Sequence, residues 1–285
     1  MELTNIGTIK ELFTRHGFSF TKSLGQNFLI NPSVCPKIAE MGGAKKGTAA
    51  IEIGTGVGVL TKELAIRCDK VVAVEIDEGL KPILNETLEE FDNVEIVFGD
   101  VMETDLHKLI SEKLSGFDEI IVCANLPYYI TSPVIMKLLE ERLPIRSVTV
   151  MVQKEAADRL CAKVGSRDSG AITVAVNYYA EPKMLFKVNR GSFMPAPNVD
   201  SAVIRLDVNT VPKYTPTDEK LFFRVVHAAF SQRRKQLINP VSSMLGIEKK
   251  ALAEMLEASG IKPTARPEEL KMEDFVALSN KLSEK

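Results

Sequence analysis

The chain has 285 residues, with 36 Lys and Arg against 38 Asp and Glu and a formal net charge of -2. Hydrophobic residues make up 45% and charged residues 26%, which is ordinary for a globular protein and excludes collagen, coiled coil and extended disorder. Neither a signal peptide nor a run of the roughly 20 apolar residues that span a membrane is recognised, so we expect a cytoplasmic protein without a membrane partner. Its four cysteines form no CxxC pair, and no metal site is expected.

Short β-branched runs alternate with helical segments between residues 48 and 153, after an N-terminal segment, 1–45, that we predict to be helical. The predicted strands are 49–53, 71–75, 94–98, 120–123 and 147–152, followed by 181–188 and 199–207. Helices are predicted over 58–67 and 79–90, and a loop over 191–198. This alternation predicts βαβ units, a largely parallel sheet and the α/β fold class.

The sequence changes character after residue 207, where Pro212 and Pro216 indicate a linker. Beyond the linker, four helices are predicted, over 218–230, 232–244, 248–258 and 272–282. We therefore predict two domains, an α/β domain over 1–210 and a small all-helical domain over 211–285.

A glycine-rich loop, Gly54-Thr55-Gly56-Val57-Gly58, follows the first predicted strand. Glycines at this place allow a sharp turn and let a ligand approach the backbone closely. The dinucleotide-binding motif G-x-G-x-x-G would need a third glycine at position 59, which is Val59, and no P-loop pattern is present. The loop therefore favours a nucleoside-containing cofactor other than NAD.

Two acidic residues, Glu75 and Asp100, follow the next two predicted strands. A carboxylate at Glu75, 21 residues after Gly54, is placed to accept hydrogen bonds from ribose hydroxyls. A carboxylate at Asp100 can accept one from an adenine amino group. S-adenosylmethionine contains ribose and adenine but no pyrophosphate, and it fits this pattern. The alternative is a glycine turn that only packs a helix against a strand.

The fourth predicted strand runs into Asn125-Leu126-Pro127-Tyr128, at the sheet edge where ligands bind in open α/β sheets. The N6 amine of adenine is a poor nucleophile, so its methylation needs hydrogen-bond acceptors and an in-line approach to the methyl group. The Asn125 side-chain oxygen and the Leu126 carbonyl can be those acceptors, and Tyr128 can stack on the base. The alternative is a plain turn followed by a core tyrosine.

These motifs, taken together, resemble the ribosomal RNA adenine N6-dimethyltransferases over roughly residues 8–285. The matching segments are 22–29 (KSLGQNFL), 52–61, 72–77, 125–130, 151–155, 193–197, 199–203 and 230–235. Thr55 departs from the pattern, because the family commonly has proline there.

The resemblance implies a Rossmann-like seven-stranded methyltransferase sheet with S-adenosylmethionine as cofactor. It implies dimethylation of two adjacent adenines in the hairpin loop near the 3′ end of small-subunit (16S) rRNA. Asn125, Leu126, Tyr128 and Phe193 would be the catalytic residues, with Phe193 forming a second wall opposite Tyr128. The cofactor would contact Gln26, Asn27, Leu29, Gly54, Gly56, Glu75, Ile76, Asp100, Val101 and Asn125.

Basic residues that could contact RNA form two groups. Arg233-Arg234-Lys235 is the clearest cluster, and Lys154 and Arg159 belong to a looser stretch. Without the resemblance, the cluster would be more typical of a solvated helix start. Residues 211–285 contain 13 basic and 10 acidic residues, so any RNA contact depends on local patches. The expected partner is small-subunit rRNA in an immature 30S particle, bound by a monomer.

Three alternatives remain open at this stage. The first is a large-subunit (23S) rRNA dimethyltransferase of the macrolide-resistance type, which shares the glycine loop and the Asn-Leu-Pro-Tyr type of motif. The second is a ribosome-assembly factor whose binding matters more than its methylation. The third is an NAD-dependent dehydrogenase, which Val59 and the lack of an obvious hydride-handling residue disfavour.

Overall fold

The protein was studied as a computed structural model, which describes residues 1–19, 25–232 and 235–284. The chain divides into two compact units. The first comprises Met1–Ala157 and Lys183–Val208, and the second comprises Asp158–Pro182 and Asn209–Lys285. The sequence-based division at residue 210 stays a prediction, and residues 158–182 are grouped with the second unit.

Among the described residues, seven strands form one sheet in the order β4-β3-β2-β5-β6-β9-β7. The strands of the chain are β1 (Phe28–Leu29), β2 (Ala49–Ile53), β3 (Lys70–Glu75), β4 (Val94–Phe98), β5 (Ile120–Asn125), β6 (Ser147–Gln153), β7 (Ala180–Val188), β8 (Phe193–Met194) and β9 (Ser201–Val208). Strands β2 to β6 pair in parallel, and β9 runs antiparallel to β6. The predicted α/β class and seven-stranded Rossmann-like sheet are confirmed.

The central strands β2, β3, β5 and β6 are buried except for one terminal residue in each of β3, β5 and β6, as expected of a sheet covered on both faces. Every residue of β2 is buried, including one carboxylic acid, Glu52. The register places Ile53 beside Val74 and Ala124, so β2, β3 and β5 end at the same edge. The loops that carry the predicted site residues therefore meet at one edge of the sheet.

The helices are α1 (Ile6–His16), α2 (Val34–Gly42), α3 (Val59–Arg67), α4 (Lys81–Thr87), α5 (Leu106–Lys113), α6 (Thr131–Glu140), α7 (Lys154–Leu160), α8 (Ala171–Tyr179), α9 (Glu219–Phe230), α10 (Ile238–Leu245), α11 (Lys249–Ala258) and α12 (Met272–Ser283). The helix predicted over 232–244 begins only at Ile238, after a turn at Lys235. None of the described helices has the length and apolar character needed to cross a membrane.

The segment 191–198 contains a feature that the sequence did not indicate. Instead of a plain loop, it includes the short strand β8, which pairs with β1 from the N-terminal segment. Phe28 lies opposite Met194, and Leu29 lies opposite Phe193. The pairing fixes the N-terminal segment beside the edge of the sheet where the glycine loop lies.

Candidate active site

The glycine loop turns the chain directly from β2 into α3. Gly54, Gly56 and Gly58 have φ angles of +77°, +54° and +90°, which residues with a side chain rarely adopt. A Cβ atom on Gly56 would lie 3.5 Å from the ring of Phe28. Glycine at this position therefore permits both the turn and the close approach of the N-terminal segment.

Glu75, at the end of β3, is buried and held by the glycine loop. Its Oε2 atom accepts hydrogen bonds from the Thr55 amide (2.8 Å), the Thr55 hydroxyl (2.9 Å) and the Gly56 amide (3.3 Å). Its Oε1 atom accepts one from the Asp77 amide (2.9 Å). Among the described residues, Oε1 thus accepts one hydrogen bond and Oε2 accepts three, so Oε1 is the oxygen that could accept a further bond from a ribose hydroxyl.

A single cavity brings most of the predicted residues together in the first unit. The lining includes the glycine loop, the ends of β3 and β5, the turn after β4 and the N-terminal segment. The predicted residues that line it are Gln26, Asn27, Leu29, Gly54, Gly56, Glu75, Ile76, Val101, Asn125, Leu126 and Tyr128.

Two of the residues predicted for catalysis or cofactor binding are not among the lining residues. Asp100 lies between Gly99 and Val101, which do line the cavity, and its carboxylate accepts a hydrogen bond from the Met102 amide (2.8 Å). Phe193 is 3% exposed and packs in the hydrophobic core with Leu29. The roles of Asp100 and Phe193 therefore stay predictions.

The motif that follows β5 presents polar and aromatic groups to the cavity. Asn125 is the last residue of the strand, and none of the described residues hydrogen-bonds its side-chain amide. Tyr128 begins a 3-10 turn, Tyr128–Ile130, and its hydroxyl forms a 2.7 Å hydrogen bond with the hydroxyl of Ser201. The cavity therefore offers an amide that no described residue engages, beside an aromatic ring whose hydroxyl is held by Ser201.

The wall of the cavity includes one carboxyl group that was not predicted from the sequence, that of Glu52. It is 1% exposed, and neither carboxylate oxygen has a hydrogen-bond partner among the described residues. Burial raises the pKa of its carboxyl well above the ordinary value, and the negative charge of Glu75 adds to the rise, although the Thr61 hydroxyl opposes it in part. A buried polar group without a partner is costly, so this wall is suited to a polar ligand.

The N-terminal residues 25–29, which we call the N-terminal strap, cover part of the cavity. The Gln26 amide donates a 2.7 Å hydrogen bond to the carboxylate of Asp77, just after β3. A Cβ on Gly25, whose φ is +60°, would lie 3.4 Å from the ring of Tyr129. The strap thus reaches both Asp77, just after β3, and the ring of Tyr129.

The residues predicted to contact RNA do not line the cavity. Lys154 begins α7 and is half-buried, whereas Arg159 and Lys235 are exposed. Arg233 and Arg234 lie outside the described residues. Within the described ranges, no group of three or more His, Cys, Asp or Glu side chains could hold a metal ion.

Sequence reasoning assigned no role to three residues of this site. Glu52 could have been found, because it is a charged residue inside an otherwise apolar strand. Thr55 was noted only as a departure from proline, although proline could donate neither of its hydrogen bonds to Glu75. Ser201 lies in the matching segment 199–203, but nothing there indicated its contact with Tyr128, which lies 73 residues away in the chain.

Comparison with known proteins gives consistent results. Residues 17–284 match the family model described as ribosomal RNA adenine dimethylase. The protein called ribosomal RNA small subunit methyltransferase A from Geobacillus thermodenitrificans is 52% identical over 284 residues, which cover 99% of this chain and 97% of the relative. The protein of the same name from Alkaliphilus oremlandii is 48% identical over 277 residues, covering 97% and 96%.

Two solved structures resemble the fold over most of its length. A dimethyladenosine transferase from Plasmodium falciparum aligns with a TM-score of 0.72 and 28% identity, covering 88% of this chain and 95% of that one. The 23S rRNA methyltransferase ErmE aligns with a TM-score of 0.68 and 26% identity, covering 90% and 100%.

Proposed function

The chain belongs to the ribosomal RNA adenine dimethylase family, and from this premise we propose that it dimethylates N6 of two adjacent adenines in the hairpin loop near the 3′ end of small-subunit rRNA. The methyl donor is S-adenosylmethionine, the cofactor of the family. The relatives of about 50% identity are named for the small subunit, and this favours it over the 23S substrate of ErmE.

The observation that carries the proposal is the arrangement at the end of β5. Asn125 and Tyr128 line the same cavity as Glu75 and the glycine loop. Residues that can bind a nucleoside cofactor and residues that can hold a base thus line the same cavity. Transfer between two bound molecules requires such proximity.

The residues of the cavity fit S-adenosylmethionine. Oε1 of Glu75 accepts one hydrogen bond from the described residues and could take a ribose hydroxyl as a second donor, and the backbone of Gly54 and Gly56 leaves room for close approach. The carboxyl of Glu52, which has no hydrogen-bond partner among the described residues, lines the same cavity, where a polar group would relieve the cost of its burial. When bound, the cofactor supplies an electrophilic methyl group on a sulfonium.

The chain's own groups would orient the target base. The Asn125 side-chain oxygen and the Leu126 carbonyl accept hydrogen bonds from the N6 amine and aim its lone pair. Tyr128 stacks on the base, a contact worth about 1–3 kcal/mol in comparable single-strand sites. Asn125 is neutral and does not take the proton, so the proton that N6 loses goes to water.

The substrate side of the proposal rests on charge and on single-stranded structure. Lys154, Arg159 and the 233–235 cluster would neutralise phosphates, and loop bases leave their stack at low cost. We further propose that the enzyme acts as a monomer on the immature 30S particle, in the cytoplasm.

Methyl transfer onto purified ribosomal subunits tests this function. We expect the protein to label unmethylated small subunits in the presence of S-adenosylmethionine, and mapping should place the label on two adjacent adenines. Labelling of large subunits alone would overturn the proposal in favour of a 23S enzyme.

The variant Asn125→Ala tests the assigned chemistry. We expect its methyl transfer to fall at least about a hundredfold, as for the loss of one positioned hydrogen-bonding group in an active site, with S-adenosylmethionine binding largely kept. Asn85→Ala, at an exposed position of α4 away from the cavity lining, is the matched control. Full activity of Asn125→Ala would remove Asn125 from the mechanism.

A further inference from the structure

Ser201 fixes the far end of the Tyr128 side chain. The two hydroxyl groups are 2.7 Å apart, which is the usual distance of an O–H···O hydrogen bond. Ser201 is fully buried, with 0% exposure, whereas Tyr128 is half-buried and lines the cavity. The bond therefore joins a rigid point in the sheet to a ring at the surface of the cavity.

The position of Ser201 in the sheet explains why it can reach Tyr128. Asn125 on β5 lies beside Met151 on β6, and Gln153, two residues further along β6, lies opposite Ser201 on β9. The loop after β5 thus extends across the end of β6, and Tyr128 is anchored on the strand beyond it. This anchoring point is independent of the 3-10 turn that carries Tyr128.

A ring that stacks on a base must be held in one plane. A tyrosine attached only through its Cα can rotate about two side-chain bonds, but a hydrogen bond at its hydroxyl removes most of that freedom. Burial raises the pKa of the Tyr128 hydroxyl, although the bond to Ser201 lowers it in part. The hydroxyl therefore stays protonated and bonded at neutral pH.

We propose that Ser201 is a positioning residue for methyl transfer, which orients the ring of Tyr128 so that the stacked adenine presents N6 beside Asn125. This inference rests on the proposed function, in which Tyr128 stacks on the target base. Ser201 contacts neither substrate nor cofactor. Its effect should appear in the rate of transfer and not in cofactor binding, because misplacement of a reacting group lowers the rate directly.

A double-mutant cycle on unmethylated small subunits tests the inference. Ser201→Ala and Tyr128→Phe each remove one end of the hydrogen bond, and Phe keeps the ring. We expect each to lower kcat by about threefold to tenfold, the range for one hydrogen bond, with the dissociation constant of S-adenosylmethionine unchanged. The double variant should be no slower than either single variant, because both remove the same bond.

Ser147→Ala is the matched control. Like Ser201, Ser147 is a fully buried serine. It is the first residue of β6, at the opposite end of that strand from Gln153, and its hydroxyl donates to the Gly42 carbonyl at 3.4 Å. Because Ser147 does not line the cavity, a lower kcat in Ser147→Ala would show a general effect of deleting a buried hydroxyl. We expect its kcat to match that of the wild type.

Several outcomes would overturn the inference. A wild-type kcat for Ser201→Ala, or losses that multiply in the double variant, would show that the bond does not set the rate. If Ser201→Ala fails to fold, Tyr128→Phe decides alone, with a slower rate supporting the inference and a wild-type rate overturning it. Failure of the proposed function is recognised separately, because the wild-type protein would then transfer no methyl groups to small subunits. A normal rate for Tyr128→Ala would show instead that Tyr128 does not hold the base.

Discussion

Glu52 and Glu75 are two buried carboxyl groups in the same cavity, and their surroundings differ. Glu75 accepts four hydrogen bonds from the glycine loop and the turn after β3, which compensate for its burial. The oxygens of Glu52 accept none from the described residues, and its pKa is raised well above the ordinary value by burial. Glu52 therefore keeps its proton to higher pH than an exposed glutamate.

This difference predicts how stability depends on pH. In the unfolded chain Glu52 loses its proton near its ordinary pKa of 4.5, but in the folded protein it keeps the proton to higher pH. The folded state then binds more protons, so the contribution of Glu52 to the free energy of unfolding falls as pH rises above about 4.5, by at most about 1.4 kcal/mol per pH unit. Glu52→Gln removes this fall.

Denaturant unfolding between pH 5 and 8 measures the effect. We expect the free energy of unfolding of Glu52→Gln, minus that of the wild type, to increase with pH. The buried amide of Gln also lacks partners, but that cost does not vary with pH and leaves the slope unaffected. Glu86, whose pKa is lowered mainly by its hydrogen bond to His16, changes the free energy of unfolding mainly below this pH range, and it does so equally in both proteins. Equal slopes would contradict the account.

Thr55 is the residue that departs from the family pattern, and its hydroxyl bonds Glu75. Thr55→Val keeps the shape and the backbone amide but loses this bond, so the carboxylate that we propose binds the ribose is held less firmly. We expect the dissociation constant of S-adenosylmethionine, measured by calorimetry, to rise by about threefold to tenfold, the range for one hydrogen bond. Thr55→Ser keeps the hydroxyl and should bind like the wild type. Equal losses in both variants would assign the effect to packing.

At the scale of elements, the two ends of the N-terminal strap are held differently. Phe28 and Leu29 are buried in hydrophobic clusters and pair with β8, whereas residues 25–27 are only half-buried and include the Gln26–Asp77 hydrogen bond. Segments with fewer buried contacts open at lower free-energy cost. Residues 25–27 are therefore the part of the strap whose opening a single substitution should change most.

Gln26→Ala tests this expectation. Without its hydrogen bond to Asp77, we expect faster amide hydrogen exchange in residues 25–29 and faster release of S-adenosylmethionine, with exchange in β2 and β5 unchanged. Gln232→Ala, an exposed glutamine in the second unit, is the matched control. Unchanged exchange in the strap would mean that the β1–β8 pairing and the packing of Phe28 and Leu29 hold it without the Gln26 bond.

The elements that could be predicted from the sequence are those whose signal is local. The apolar runs of β2 and β4 predicted these strands to the residue, and the glycine loop predicted the turn into α3. The β1–β8 pairing could not be predicted, because two residues are too few to show a period and the two strands lie far apart in the chain. The same holds for the Tyr128–Ser201 bond, which depends on the tertiary fold.

At the scale of the whole molecule, the net charge of the chain does not favour binding to RNA. The chain carries a formal charge of -2, whereas rRNA is a polyanion, so long-range attraction cannot supply the affinity. Binding must then depend on a few cations that meet phosphates directly. Each such contact releases counterions and makes the affinity depend on salt.

The number of these contacts can be counted from the salt dependence. For single-stranded RNA the slope of log K against log salt is about -0.7 per neutralised phosphate, so changing Lys154, Arg159 and Lys235 to Gln should lower its magnitude by roughly 2. Because these side chains do not line the cavity, kcat at saturating RNA should stay unchanged. The control variant has the same change of charge at the ends of the strands that lie away from the cavity. It combines Lys45→Gln and Lys46→Gln, before β2, with Lys70→Gln, at the start of β3. An equal loss of slope in the control would mean that only total charge matters, and the proposed patches would then have no special part in binding.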